Sequence, residues 1–403
     1  MLTTDGATDA TRRLDWLHDI AALLWPGAHD MSTGVPAAEA DFWLLPNANR
    51  PRLLVPGGSR RAAAAAVRHY GEQLSFQGRV KAAGLAAGLR TGAVQRFLAD
   101  GVALGRGTDN GITAHLADKL GQDVLVSLHL SAPRANRKPV LQVLSTSGET
   151  IAFVKIGVDA RTSGLVRHEA SALRRLSDAS FQTVRTPPLL AHDVWNDLDV
   201  LVIGALPVWG KRDNDSSRGH RAMTEIAGLV PATEQTLGAS EYLRRLRLRL
   251  EQCNATPAQA SVVDQLTDLV TVAGEQPLTF GAWHGDFTPW NCAPVDGRLL
   301  VWDWERLTDP VPYGYDRLHH DLQSATVQRG VPLAQAAATV IDGAPAGLRA
   351  FEVAERAART TAALYLVELG TRYLNDDQAA AGGHGGRIED WLVPALRTAV
   401  HKL

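Results

Sequence analysis

The spacing of hydrophobic residues changes along the chain, from short apolar runs to a helical period. Apolar runs over residues 123–130, 139–144 and 151–157 predict three β-strands, and the run over 199–203 predicts a fourth, buried strand. Apolar residues at three- and four-residue spacing predict amphipathic helices over 166–176, 241–250, 260–272, 315–328, 333–341, 351–374 and 388–401. The pattern therefore predicts a small sheet followed by a mostly helical region, which is an α+β arrangement.

The most informative residues lie in two tryptophan-containing segments, 283–291 and 301–305. Asp286 precedes Asn291 by five positions, and Asp303 closes an apolar run after it. In this order Asp286 can orient an acceptor hydroxyl and accept its proton, while Asn291 and Asp303 supply oxygen ligands to Mg²⁺. Each residue alone also fits a turn, a helix cap or a strand end. The three residues together favour a phosphotransferase site, because a solvated loop is not expected to contain so many tryptophans.

On these residues the chain resembles the aminoglycoside phosphotransferase and choline kinase group of the protein-kinase-like superfamily. The resemblance implies a two-lobed α+β fold with a small antiparallel-sheet N-lobe and a mostly helical C-lobe. It implies ATP- and Mg²⁺-dependent transfer of the γ-phosphoryl group to a hydroxyl of a small molecule. The expected division is an accessory or cap domain over residues 1–120, a nucleotide-binding lobe with its hinge over 121–206, and a large lobe over 207–403 with the catalytic and acceptor sites.

The resemblance also implies nucleotide-binding residues upstream of the catalytic segment. Kinases of this type hold the phosphates with a strand lysine, and a glutamate on the next helix keeps that lysine in place. Lys155 lies within the apolar run 151–157, where a lysine is costly unless it is paired, and Glu169 lies on the following predicted helix. Ile203 and Ala205 would belong to the hinge, whose backbone meets the adenine.

Several residues near these two segments are predicted to support the catalytic loop or to lie beside it. Asp316 matches an aspartate that supports the catalytic loop in the resembled family, and His284 is expected to support the backbone of that loop. His319 and His320 are predicted to be ordinary helix residues. Glu305 fits either an additional metal role or a surface carboxylate.

The segment 131–138 lies where a phosphate-covering loop belongs, yet it contains no glycine. Backbone N–H groups, Ser131 or the Arg137–Lys138 pair could hold phosphate there, but a plain hairpin loop fits equally well. The missing glycine favours an alternative, a catalytically silent kinase-like module that binds nucleotide or a protein partner. An active enzyme is favoured because a silent module would not need all five of the predicted site residues. These residues are Lys155, Glu169, Asp286, Asn291 and Asp303.

The amino-acid composition limits which kinds of molecule the protein is expected to bind. A chain of 403 residues with 45% hydrophobic content can bury two or three cores. A net charge of −2 with interspersed charges gives no electrostatic case for nucleic acid or an anionic membrane. Because no apolar run approaches a membrane span and the first residues do not resemble a signal peptide, we expect a cytoplasmic protein.

The acceptor is predicted only as a class: a sugar, an aminoglycoside or a related polyol. Aminoglycosides need a patch of carboxylates, and choline needs an aromatic cage. The tryptophans near the motif suit a pocket of mixed aromatic and polar groups, which favours a sugar or polyol. Residues 1–120 could shape the access of the acceptor, bind a protein partner that the sequence does not identify, or stabilise the small lobe.

Overall fold

The computed structural model describes residues 4–403 except 29–30, 73–75, 95–97, 99, 106–109, 209, 212–214, 216, 381 and 383–384. The chain forms two compact units. The first consists of Met1–Pro133, Arg137–Arg167 and Pro188–Ala205, and the second of Arg134–Asn136, His168–Pro187 and Leu206–Leu403.

Fifteen strands and twelve α-helices are assigned among the described residues. In chain order the strands are β1 Ser32–Val35, β2 Phe42–Leu45, β3 Leu53–Pro56, β4 Gly101–Ala103, β5 Val124–His129, β6 Val140–Ser145, β7 Thr150–Gly157, β8 Val184–Arg185, β9 Leu189–Trp195, β10 Leu198–Gly204, β11 Thr233–Thr236, β12 Pro277–Trp283, β13 Cys292–Val295, β14 Arg298–Val301 and β15 Thr308–Pro312. The helices are α1 Thr4–Leu24, α2 Arg60–Glu72, α3 Phe76–Thr91, α4 Ile112–Leu120, α5 Ala160–Ser177, α6 Arg218–Ala227, α7 Glu241–Glu251, α8 Pro257–Ala273, α9 Tyr315–Gln323, α10 Leu333–Gly347, α11 Glu355–Asn375 and α12 Leu392–His401. No helix of the described residues is both long enough and apolar enough to cross a membrane.

The first unit is built on one nine-stranded sheet, in the order β1-β4-β2-β3-β5-β6-β7-β10-β9, and every neighbouring pair is antiparallel. Successive strand residues point to opposite faces, so a fully apolar strand can fill two cores. In β2, Phe42 and Leu44 join a core with α1 and α4. Trp43 and Leu45 join the opposite core, with α2 and α3. Helices therefore cover both faces of the sheet.

The boundary predicted near residue 120 does not separate two compact units. Strand β3 pairs directly with β5, with Leu53 opposite His129 and Leu54 opposite Leu128. The core that contains Leu17 of α1 also contains Val202 of β10. Residues 1–120 thus extend the sheet of the predicted nucleotide lobe, and a separate function for them stays a prediction.

The second unit is mostly helical and also contains two three-stranded sheets, β11-β12-β15 and β13-β14-β8. Side-chain caps set the starts of α7 and α8, because Ser240 accepts the N–H of Leu243 and Thr256 accepts the N–H of Gln259. Helix α11 is buried along most of its length, and α7, α8, α9, α10 and α12 contact it. A helix that is apolar on all sides belongs at the centre of a bundle. The predicted α+β class, with an antiparallel sheet followed by a mostly helical part, is confirmed.

An ion pair between the buried Glu368 and the partly exposed Arg249 links α11 to α7. Both oxygens of Glu368 accept hydrogen bonds from the Arg249 guanidinium, at 2.5 and 2.6 Å. Replacing Glu368 by Gln leaves Arg249 without its counter-charge, and because Arg249 is partly solvated we expect a loss of about 1.5 kcal/mol in the free energy of unfolding. Urea unfolding followed by tryptophan fluorescence measures this loss.

The control is Glu355→Gln on the same helix. The carboxylate of Glu355 pairs with Arg359 at the surface, so its removal should cost less than about 0.5 kcal/mol. Equal unfolding midpoints for Glu368→Gln and Glu355→Gln would contradict a stabilising role for the ion pair between Arg249 and Glu368.

Candidate functional site

The segment that follows β12 is a tight loop whose backbone is held by a buried carboxylate. Asp316 of α9 accepts the N–H of His284 at 2.7 Å and the N–H of Gly285 at 3.2 Å. Gly285 has φ +84°, and a Cβ there would lie 2.3 Å from the carbonyl oxygen of Arg306. Only glycine fits this position. The predicted support of the loop by Asp316 is confirmed.

His284 completes the support of the loop from inside. Its side chain is fully buried; Nδ1 accepts the N–H of Asp286 at 3.1 Å, and Nε2 lies 3.0 Å from the carbonyl oxygen of Trp302. Burial lowers the pKa of His284 to about 4, so the imidazole is neutral with its proton on Nε2. The predicted backbone role of His284 is confirmed, and both of its ring nitrogens are occupied.

The Asp286 carboxylate is fixed at both oxygens. Oδ1 lies 2.9 Å from Nε2 of His319, and Oδ2 accepts from Nδ2 of Asn291 at 2.8 Å. Burial acts to raise the pKa of Asp286, but the hydrogen bond from His319 and the positive charge of Arg372 outweigh it, so that the pKa is lower than usual. Asp286 is therefore ionised at neutral pH and able to accept a proton.

His319 is a residue whose place in the site the sequence did not predict. It is buried on α9, and Nδ1 lies 2.9 Å from the hydroxyl of Tyr365 on α11. The expectation of an ordinary helix residue is wrong, because Nε2 contacts Asp286. A signal was present in the sequence: His319 follows Asp316 by three positions, which places both residues on one face of a helix.

Asn291 and Asp303, the residues predicted to bind the metal, lie at the same end of the β13–β14 hairpin. Cys292 pairs with Val301, so Asn291 and Trp302 follow in register, and the N–H of Trp302 donates to the carbonyl oxygen of Asn291 at 3.1 Å. Asp303 comes next, at φ +70°. The Asn291 amide nitrogen faces Asp286, which leaves its oxygen for a cation.

A cluster of three carboxylates adjoins this hairpin end. Oxygens of Glu169, Asp303 and Glu305 lie within 4.8 Å of one another. Glu305 is buried, so the surface-carboxylate alternative for it is wrong. Negative charge this dense is favourable only beside a positive charge, such as a divalent cation or a lysine ammonium. Hard oxygen donors of this kind fit Mg²⁺.

The remaining predicted site residues lie in the first unit. Lys155 is buried on the interior strand β7, opposite Val140 of β6 and Leu201 of β10. Ile203 is the last residue but one of strand β10, and the N–H of Ala205 donates to the carbonyl oxygen of Ile151 at 3.0 Å. Because that N–H is engaged, Ala205 can offer an adenine only its carbonyl oxygen. The pairing of Lys155 with Glu169 and the hinge contacts stay predictions.

The segment 131–138 has its own packing role. The Arg137 guanidinium lies 3.7 Å from the centre of the Trp16 ring, and Lys138 is buried. Both side chains therefore contribute to packing in the first unit, which supports the hairpin-loop interpretation of this segment.

The buried imidazole of His284 makes the stability of the protein depend on pH. Between pH 6.5 and about 4 the unfolded chain binds a proton at this residue and the folded chain does not, so stability falls as the pH falls through this window. We expect His284 to contribute roughly 3 kcal/mol of this loss. Urea unfolding at several pH values should show a shallower dependence for His284→Gln than for the wild type. Parallel curves would contradict the neutral, buried state of His284.

No family model matches the chain, and no curated protein matches it. Three of the solved structures that align with it are described as kinases or phosphotransferases. A putative fructosamine-3-kinase from Thermobifida fusca YX-ER1 is 20% identical, with 72% of this chain and 99% of that chain covered and a TM-score of 0.43. A thermostable mutant of aminoglycoside phosphotransferase APH(4)-Ia, in a complex with ADP and hygromycin B, is 13% identical, with 72% and 98% covered and a TM-score of 0.48. The amicoumacin kinase hAmiN, in a complex with AMP-PNP, Ca²⁺ and Ami, is 14% identical, with 66% and 86% covered and a TM-score of 0.40. The similarity to these three proteins is low. The functional conclusion is therefore based on the contacts within the site.

Proposed function

We propose that this protein is an ATP- and Mg²⁺-dependent kinase that phosphorylates a hydroxyl group of a small molecule. The observation that carries the proposal is the bond between Asp286 and Asn291. It places an ionised carboxylate 2.8 Å from the amide nitrogen of Asn291, whose amide oxygen is of the type that binds Mg²⁺. A proton acceptor beside a metal ligand is the arrangement that phosphoryl transfer requires.

In the proposed reaction Asp286 acts on the acceptor. The acceptor oxygen forms a bond to the γ-phosphorus of ATP, the bond from that phosphorus to the bridging oxygen of ADP breaks, and the hydroxyl proton passes to Asp286. His319 and Asn291 hold the carboxylate while each of its oxygens keeps a further site for the hydroxyl. The carboxylate is thus oriented before the acceptor binds, which lowers the entropic cost of the step.

Other residues have supporting roles in this proposal. Asn291 and Asp303 would hold Mg²⁺, with Glu305 nearby, and a bound Mg²⁺ offsets negative charge on the phosphate oxygens. Lys155, with Glu169 as its partner, would hold the α- and β-phosphates. Ile203 and Ala205 would meet the adenine through their backbone.

Charge around the catalytic loop favours a sugar or polyol over a polycation. The carboxylates of α9 and α11 already have partners: Asp316 binds loop N–H groups, Asp321 pairs with Arg317, Glu355 with Arg359 and Glu368 with Arg249. The charge of these carboxylates is therefore partly balanced, which leaves less of it for the ammonium groups of an aminoglycoside. Arg372, which approaches the loop by donating to the carbonyl oxygen of Gly285, adds positive charge.

A screen of ADP release tests the proposed function. Purified protein with ATP and Mg²⁺ is offered sugars, polyols, aminoglycosides and amino alcohols, each compared with water alone. We expect one sugar or polyol to raise ADP release well above the water level, in a Mg²⁺-dependent way. Mg²⁺-dependent ATP binding without stimulation by any acceptor would favour the silent module instead.

A further inference from the structure

One hydrogen-bonded chain connects Asp286 to the centre of the helical bundle. It runs from the Asp286 carboxylate to His319, at 2.9 Å, and from His319 to the hydroxyl of Tyr365, also at 2.9 Å. His319 and Tyr365 are 1% and 0% exposed. The ring of Trp283 lies edge-on to the imidazole at 6.3 Å and limits its rotation. His319 is therefore locked in one orientation, with one nitrogen toward each partner.

The direction of the hydrogen bonds follows from the protonation states. Burial lowers the pKa of His319, and the charges of Arg372 and His320 act in the same direction, although Asp286 opposes them. Burial raises the pKa of Tyr365 well above its usual value, so its hydroxyl keeps its proton. The Tyr365 hydroxyl then donates to Nδ1, and the proton on Nε2 of His319 is donated to Asp286.

We propose, on the basis of the kinase function proposed above, that His319 is a positioning residue that aims the Asp286 carboxylate at the acceptor. A hydrogen bond from Asn291 to Oδ2 alone would leave the carboxylate free to rotate about that contact. A second donor at Oδ1 fixes the plane of the carboxylate. Tyr365 selects the imidazole tautomer that can donate, because its hydroxyl occupies Nδ1. His319 thus acts on the acceptor only through Asp286.

A matched pair of substitutions separates this role from simple packing. The amide nitrogen of Gln can reach the position of Nε2, whereas the amide of Asn reaches only the position of Nδ1. We expect His319→Asn to lower kcat by about 100-fold with the KM for ATP within about threefold of the wild type. His319→Gln should retain kcat within about tenfold, because it restores a donor to Asp286.

These rates are measured with ATP, Mg²⁺ and the acceptor that most stimulates ADP release, on variants whose thermal unfolding matches the wild type. Unchanged kcat in both variants would overturn the proposal. An equal loss in both would also overturn it, because the donor at the Nε2 position would then not decide the rate.

A second measurement needs neither acceptor nor turnover. In protein labelled with ¹⁵N-histidine, the resonances missing from His319→Gln identify His319, and their shifts report which ring nitrogen carries the proton. We expect the proton on Nε2, and a change in that resonance on Asp286→Asn. A proton on Nδ1, or a spectrum unaffected by Asp286→Asn, would overturn the contact. A wild type without transfer to any acceptor would instead refute the kinase function, and with it the positioning role, while this spectrum would still test the hydrogen bond between His319 and Asp286.

Discussion

Replacing Asp286 by Asn should lower the turnover number for phosphoryl transfer by about 1,000-fold, while the affinity for Mg²⁺-ATP stays within about threefold. The substitution keeps the size of the side chain but removes the negative charge that accepts the hydroxyl proton. It also has a structural cost. His319 and Asn291 both donate to Asp286, so the new NH₂ group must face one donor, and stability should fall by about 1 kcal/mol.

Steady-state kinetics and calorimetric titration with Mg²⁺-ATP separate the two effects of Asp286→Asn. The control is Asp342→Asn, since the carboxylate of Asp342 pairs with Lys402 at the surface of α10 and α12. Asp342→Asn should leave turnover unchanged. If Asp286→Asn kept the wild-type turnover number, Asp286 would not be the group that accepts the hydroxyl proton.

Asp303→Asn should weaken the Mg²⁺-dependent part of ATP binding by at least about 100-fold. Removing the carboxylate takes away a charged oxygen ligand from the end of the β13–β14 hairpin. Asn is the better probe because Asp303 has φ +70°, a conformation that Asn tolerates and Ala does not. Asp303→Ala should show the same loss of binding and about 1 kcal/mol of additional destabilisation.

Titration of Mg²⁺ at a fixed ATP concentration measures the metal-dependent part of binding. Asp296 offers a matched control, since it lies at the other end of the same hairpin and also has positive φ, at 49°. Asp296→Asn should respond to Mg²⁺ as the wild type does. If Asp303→Asn did the same, Asp303 would not be a metal ligand.

Much of the fold could be predicted because its strands and helices have strong local patterns. Strands β5, β6, β7 and β10 are apolar runs bounded by turns, and their ends match the predicted ones within two residues. Strand β9 was missed because it forms the edge of the sheet and alternates weakly, with Leu190 and Val194 exposed and Asp193 between them.

The joining of residues 1–120 to the sheet was missed for a different reason. Strands β1 to β4 are only three or four residues long, and their pairing with one another and with β5 depends on contacts that are distant in sequence. Short runs of this kind do not identify their partners.

The proximity of the candidate site residues could be predicted where they lie close together in the sequence. Asp286 and Asn291 share one loop, and a single short hairpin brings Asp303 to Asn291. Tyr365 could not be predicted, because it reaches His319 through the packing of α9 and α11 within the bundle. The separation of these two residues by 46 positions leaves no local spacing to detect.

Transfer of label from γ-³²P-ATP shows whether the γ-phosphoryl group moves from ATP to a hydroxyl, as proposed here for this site. Wild type and Asp286→Asn are incubated with Mg²⁺ and the stimulating acceptor, and the products are separated. We expect label in one acceptor with the wild type and only a trace with Asp286→Asn. Label found solely in inorganic phosphate, or equal transfer by both proteins, would contradict the proposed site.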